Sequence, residues 1–240
     1  MQSSLRVVVV PGRIIIPVEA KTHGDARKFP VQATLIHDSP IALDAAWLRR
    51  RFASGHDPGG AVYGDQGVLA RPAGRREAAV LVPIVLRPAE LTLLLTRRTA
   101  HLKNHSGQIS FPGGRAEPAD GGPEGTALRE AREEIGLAPE HIEVLGRLSE
   151  YHTRTDFRVT PVVALVSPPA ALALDAHEVD EAFEVPLSFV LDPANHQRHS
   201  REFQGRLVPY YAIPYRDYYI WGATAGMLVN LYRYLAGAPA

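Results

Sequence analysis

The sequence predicts a mixed α/β fold, a mixed β-sheet covered by helices, and three observations carry that prediction. Apolar runs at 79–86 and 91–96 flank the turn residues Arg87, Pro88, Ala89 and Glu90, the pattern of a hairpin. A helix reaching Ile135 is closed by Gly136, a residue suited to the left-handed position after a helix. A last element, 223–235, sets Met227, Leu228, Leu231 and Leu235 at helical spacing. Strands at 142–151, 159–166 and 207–213 lie between these helices, so strands and helices interleave.

From the N-terminus, β-branched runs at 7–10 and 14–16 are separated by Pro11 and Gly12 and followed by a polar stretch. Residues 1–40 therefore read as extended pieces of unknown role. Segment 41–52 interleaves Ile41, Leu43, Ala46, Leu48 and Phe52 with polar positions, as a short amphipathic helix does. Residues 54–74, rich in Gly, Pro, Asp and Ala, make the best linker. The expected organisation is an extension at 1–40, a helix and linker at 41–77, and the main domain at 78–240. Pro83, inside the first hairpin strand, calls for an edge position or a bulge because it donates no hydrogen bond. A polar loop, 97–108, leads through Ile109, Ser110 and Phe111 to Pro112, Gly113 and Gly114.

Composition narrows the function. Among 240 residues, 26 Lys and Arg balance 26 Asp and Glu, so no overall field holds nucleic acid or an anionic membrane. The expectation is no nucleic-acid partner and no membrane partner. Absence of cysteine removes disulfides, thiolate metal sites and thiol nucleophiles, in keeping with a reducing compartment. The apolar N-terminal runs are too short and broken for a signal core or a membrane span, and a cytoplasmic protein is expected. A homo-oligomer is compatible with everything the composition shows.

The informative segment is 126–137. At about 100° per residue, Leu128, Ala131 and Ile135 fall on one side of a helix, with Glu130, Glu133 and Glu134 roughly opposite. Like charges at these spacings repel by a few tenths of a kcal/mol per pair. A hard divalent cation converts that repulsion into binding, whereas a solvated acidic face is the ordinary alternative. Gly113 and Gly114 supply backbone that can approach a ligand closely, and a glycine carbonyl, Gly114 in particular, can add an oxygen ligand. Arg129, four residues before Glu133, is placed to orient it.

Here the sequence resembles the Nudix hydrolases, whose signature is G-x5-E-x7-R-E-U-x-E-E-x-G-U with U aliphatic. Arg129, Glu130, Ala131, Arg132, Glu133, Glu134, Ile135, Gly136 and Leu137 match its second half. In the first half the acidic position falls on Asp120, with Glu117 nearby, and the spacer to Arg129 is one residue longer. Leu94-Leu95-Thr96-Arg97-Arg98-Thr99, followed by Gly107 and then Phe111-Pro112-Gly113-Gly114, is similar to the motif of the coenzyme A pyrophosphatase subgroup, L-L-T-x-R-[SA] then G-x3-F-P-G-G. Thr99 replaces Ser or Ala, and Lys103 stands where the motif has a second arginine. Stretches 159–163, 178–187 and 220–225 are similar to the same group, with Asp156 where a glycine is usual.

The resemblance covers about 78–236 and implies an α/β/α sandwich. It also implies hydrolysis of coenzyme A or acyl-CoA to 4′-phosphopantetheine and adenosine 3′,5′-bisphosphate, with Mg²⁺ or Mn²⁺ as cofactor. By resemblance, Glu130 and Glu134 are the main metal ligands and Glu133 is a further ligand or the base that activates water. Glu178 is a second base candidate, its plainer reading being an exposed helix carboxylate. Asp120, Glu117 and Arg129 support the ligands from behind. Arg97, Arg98, Lys103 and His105, with His101 and Arg115, are candidates for a cation cluster that grips the substrate phosphates, solvated loop charges being the plainer reading. Tyr218, Tyr219 and Trp221 are either adenine-stacking groups or, preferably, core aromatics. The competing functions are a Nudix hydrolase of ADP-ribose, NADH or another nucleoside diphosphate derivative, and a non-catalytic Nudix module. The 94–114 match opposes the first, and the three glutamates oppose the second.

Overall fold

A computed structural model describes residues 8–10, 13–15, 41–55, 76–100, 107–153, 155–168, 171–203 and 205–237. The described elements run β1 (Val8–Val10), β2 (Arg13–Ile15), β3 (Ile41–Ala42), α1 (Ala45–Ala53), β4 (Arg76–Leu86), β5 (Leu91–Arg98), β6 (Ile109–Ser110), β7 (Gly113–Arg115) and α2 (Pro123–Ile135). They continue with β8 (Ile142–Arg147), β9 (Tyr151–His152), β10 (Phe157–Val166), β11 (Val179–Pro186), α3 (Leu187–Val190), β12 (Gln197–Phe203), β13 (Arg206–Tyr215), β14 (Tyr218–Trp221) and α4 (Ala223–Ala236). Most of the expected linker lies outside the described residues, and the expected 41–52 helix is a two-residue strand followed by α1.

The central sheet runs β11-β5-β4-β10-β8, with β6 on β5, β7 on β4 and β9 on β10. β4 and β10 are parallel and the other pairs antiparallel, so the sheet is mixed as expected. Alternation along the buried strands sorts their side chains onto two faces. Val82 and Ile84 of β4, Leu93 and Leu95 of β5, and Val163 and Leu165 of β10 join Leu48 and Phe52 of α1 and Leu228 and Leu231 of α4. Ala79, Leu81 and Val85, with Leu94, Val162 and Ala164, meet Ala127, Ala131 and Ile135 of α2 on the other face. Helices on both faces of one mixed sheet make an α/β/α sandwich. A separate antiparallel sheet, β12-β13-β14, adds Ile213 and Ile220 to the first core.

Pro83 occupies neither an edge nor a bulge. Its strand is central, but the neighbour on one side changes there: β7 pairs with 78–80 and β5 with 84–86. Leu81 donates its N–H to Pro112 O at 2.8 Å on that side. Residue 83 faces the same way in the pleat and needs no donor in the gap. Asp156, where the resemblance suggests glycine, has φ +60°, a left-handed conformation that Asp tolerates better than most side chains.

Gly136 ends α2 at φ +66°, with its N–H bonded to Arg132 O and that of Leu137 to Ala131 O, as its place after the helix predicts. A Cβ there also meets Ala173 Cβ at 2.7 Å. Gly136→Ala should therefore destabilise the protein by about 2 kcal/mol and lower Tm by about 4–8 °C in a thermal melt. An unchanged Tm would show that the turn relaxes freely.

Candidate active site

The site begins with the backbone of β7. Gly114 pairs with Ala79 and Gly113 with Val80, bringing the glycine strand flat against β4. A Cβ on Gly113 would lie 2.6 Å from Val80 Cα, and one on Gly114 would fall 2.5 Å from the carboxyl carbon of Glu130. Neither position has room for a side chain between β4 and α2, which is the close approach that the two glycines suggested.

Arg129 organises one half of the acidic face. Its guanidinium donates to Asp120 at 2.8 and 3.2 Å, to Glu133 at 2.9 Å and to Arg115 O at 3.0 Å, and pairs with Glu130 at 2.9 Å. Asp120 also accepts from Glu117 N at 2.8 Å and from the Thr126 hydroxyl at 2.7 Å. Arg129 above all, then these two donors, hold its carboxyl well below the usual range. Asp120 thus fixes the arginine, and the arginine fixes Glu130 and Glu133. Glu117 contributes its backbone N–H, and its residue is exposed.

Glu134 lies elsewhere on the helix than expected. Ala127, not Leu128, takes the inner position, and Glu134 falls about 20° from Ala127 around the axis, at the margin of the buried stripe. Its side chain is 5% exposed and accepts from Gly113 N at 3.2 Å. Burial pushes its pKa up to about 7; Gly113 and Arg98 oppose this, while Glu130 and Glu178 reinforce it. Burial likewise raises Glu130, against the pull of Arg129, with Glu133 and Glu178 adding to the rise. These carboxylates feel one another.

Glu178 is not on a helix. It sits in the turn before β11, half-exposed, and a backbone frame sets its position. Ala173 N donates to Ile135 O and Asp175 N to Glu134 O, tying 173–178 to the end of α2. Thr99 then donates its N–H to Glu178 O and its hydroxyl to His177 O, both at 3.0 Å. This strap was not read from the sequence; the substitution Thr99 in the motif was its single signal. Arg98 stands between the two acids, Nη1 3.7 Å from Glu134 and Nη2 3.9 Å from Glu178.

Arg97 leaves the expected cation cluster. Successive strand residues point to opposite faces, so Arg98 faces α2 while Arg97 lies over the Tyr218 ring and pairs with Asp180 and Glu181. Tyr218 stacks on Phe183 with ring centroids 3.6 Å apart and donates to Glu181, a packed aromatic rather than an open one. Tyr219 is exposed, and Trp221 packs edge-on against Tyr210. Arg115 is exposed. Lys103, His101 and His105 lie outside the described residues. A cavity of about 730 Å³ opens at the far end of α2, between Gly122, Thr126 and Thr160, and none of the four glutamates lines it.

For a divalent cation the donor chemistry fits: all-oxygen carboxylates on one helix face, two with raised pKa values, against a side-chain-free backbone strand. Among the described residues, no three of these groups already converge as a ligand set.

The raised pKa of Glu134 has a sign. Between its ordinary 4.5 and about 7, the unfolded chain is ionised here while the folded protein holds the proton, so stability falls as pH rises through that window. In chelator, urea titrations at pH 5 and pH 8 should show wild type losing about 3 kcal/mol relative to Glu134→Gln. Parallel pH profiles for the two proteins would contradict the burial argument.

Comparison with known proteins gives the same direction. The NUDIX domain model matches residues 75–209. A protein named "Uncharacterized Nudix hydrolase NudL" from Photorhabdus laumondii is 41% identical over 156 residues, 65% of this chain and 83% of that protein. Its namesake from Shigella flexneri is 38% identical over 160 residues, 67% and 83% of the two chains. The crystal structure of RenU, a Nudix hydrolase from M. smegmatis, is 22% identical with a TM-score of 0.47, covering 75% of this chain and 98% of that one. With a family model over more than half its length and relatives near 40% identity, this chain belongs to the Nudix hydrolases, pyrophosphatases that act on nucleoside diphosphate derivatives.

Proposed function

We propose that the protein hydrolyses the diphosphate of coenzyme A or acyl-CoA, releasing (acyl-)4′-phosphopantetheine and adenosine 3′,5′-bisphosphate. The observation that carries the chemistry is the packing of Glu130 and Glu134 against the Gly113–Gly114 strand, with Glu133 and Glu178 on either side. Preference for coenzyme A rests on the 94–114 motif, which supplies Arg98, Thr99 and the glycine strand to this site.

The chemical obstacle is charge, because an anionic diphosphate repels a water nucleophile and its leaving oxygen gains more negative charge. Mg²⁺ or Mn²⁺ held by Glu130 and Glu134 would neutralise the diphosphate and lower the pKa of bound water; the Gly114 carbonyl, expected as a further ligand, is turned to Ala79 of β4 by the sheet register and is left out. Water adds to one phosphorus as the bridging P–O bond breaks. Glu133, steadied by Arg129, or Glu178, steadied by the strap, takes the proton. Arg98 faces the substrate phosphates, with Arg115, Lys103 and His105 in the same proposed role; Arg97, on the other face of the sheet, is left out.

Product chromatography on coenzyme A, acyl-CoAs, NADH and ADP-ribose tests the substrate. Coenzyme A species should give adenosine 3′,5′-bisphosphate at the highest kcat/KM, and a clear preference for ADP-ribose or NADH would overturn the assignment. Excess chelator should abolish turnover, and Glu134→Gln should reduce it by a factor on the order of 10³ or more with the fold intact by circular dichroism.

A further inference from the structure

Two arginines of the site, Arg129 and Arg98, are held in different ways. Arg129 makes hydrogen bonds of 2.8–3.2 Å to Asp120, Glu133 and the carbonyl of Arg115. Arg98 has a fixed backbone, with its N–H on Gln108 O at 3.0 Å and its carbonyl accepting from Gly107 N at 3.2 Å. Its guanidinium, however, lies 3.7 and 3.9 Å from its two carboxylates, beyond hydrogen-bond reach. Different nitrogens face different acids, which places the guanidinium between a glutamate of α2 and the glutamate of the turn before β11. Among the described residues, charge alone keeps it there, so little directional bonding to them is lost when it leaves.

From this geometry we infer that Arg98 is a resident counter-cation, bridging Glu134 and Glu178 until a divalent cation takes over those charges and releases the guanidinium towards an anionic substrate. The inference rests on the metal-binding reading proposed above. The functional consequence is order. Before the ion binds, the positive charge meant for the diphosphate is engaged within the protein. Afterwards it is available, and metal and substrate reinforce each other's binding by one reciprocal factor.

The test is Mn²⁺ binding to the full chain at pH 8 without nucleotide, followed by the electron paramagnetic resonance signal of free Mn²⁺. Arg98→Gln should bind Mn²⁺ more tightly than wild type, by roughly five- to a hundredfold, since a competing charge is gone. Equal or weaker binding by the folded variant would overturn the inference, because the guanidinium would then be supporting the site. A second measurement uses wild type alone: phenylglyoxal modification of Arg98, mapped by mass spectrometry, should accelerate when Mn²⁺ is added. No change, or protection, would also overturn it. Failure of wild type to bind Mn²⁺ at all is a separate result, one that removes the metal site rather than the exchange.

Discussion

The constraint on which the structure depends is the withdrawal of one carboxylate, Glu134, from water without a close counter-ion. Taking a charged carboxylate out of water costs several kcal/mol unless it is paired or well hydrogen-bonded. Glu134 receives one N–H from Gly113 at 3.2 Å and a guanidinium at 3.7 Å, too little to restore its ordinary pKa. The fold sustains this because Ala127, Ala131 and Ile135, on the same helix, are clamped into the sheet and cannot turn to expose it. Core packing on one side of α2 holds a polar group in an unfavourable place on its edge.

The sheet is arranged to serve the same end. β4 is flanked on one side by its long parallel partner β10, and on the other by two short pieces, β7 and then β5. That division lets a glycine-containing strand lie beside α2 where a full-length neighbour would carry side chains into the helix. Pro83 marks the break and costs no sheet hydrogen bond there. The antiparallel register of β5 with β11 sets Arg98 opposite Val179, so the motif arginine and Glu178 arrive together from segments about eighty residues apart. The strap closes the frame through the carbonyls of Glu134 and Ile135 that α2 leaves unused at its end.

Much of this was legible in the sequence for identifiable reasons. The hairpin, α2 and its stop at Gly136 follow from periodicity and glycine chemistry, both local properties. The glycine pair announced a close approach, and Asp156 occupies the left-handed turn that a glycine usually takes. What escaped was set by contacts distant in the chain. With Ala131 and Ile135 inward in either case, exchanging Leu128 for Ala127 moves the centre of the buried stripe by about 30°, and that brings Glu134 to the rim of the core. The parting of Arg97 from Arg98 was within reach, since alternation along a strand demands it once β5 extends to residue 98. The strap was not within reach, because its hydrogen bonds are almost all backbone to backbone and leave little trace in side-chain identity.

Arg129 and Asp120 show why the first acidic position can depart from the family pattern without disturbing the rest. A short turn, Pro118–Asp120, ends at Asp120, and the longer spacer then opens on Gly121 and Gly122, at φ +70° and +140°, before α2 begins. Asp120 comes out of that turn with both oxygens on the guanidinium of Arg129. Its charge is absorbed there, and so is most of the arginine's. Among the described residues, five carboxylates, Asp120, Glu130, Glu133, Glu134 and Glu178, then face the guanidiniums of Arg129 and Arg98, the second loosely held. The shortfall of positive charge among the described residues lies on the side of α2 next to the glycine strand, where carboxylate and backbone oxygens can serve as ligands. A compact doubly charged ion corrects such a shortfall better than another arginine, whose planar group fits a carboxylate pair but cannot gather oxygens from several directions at once.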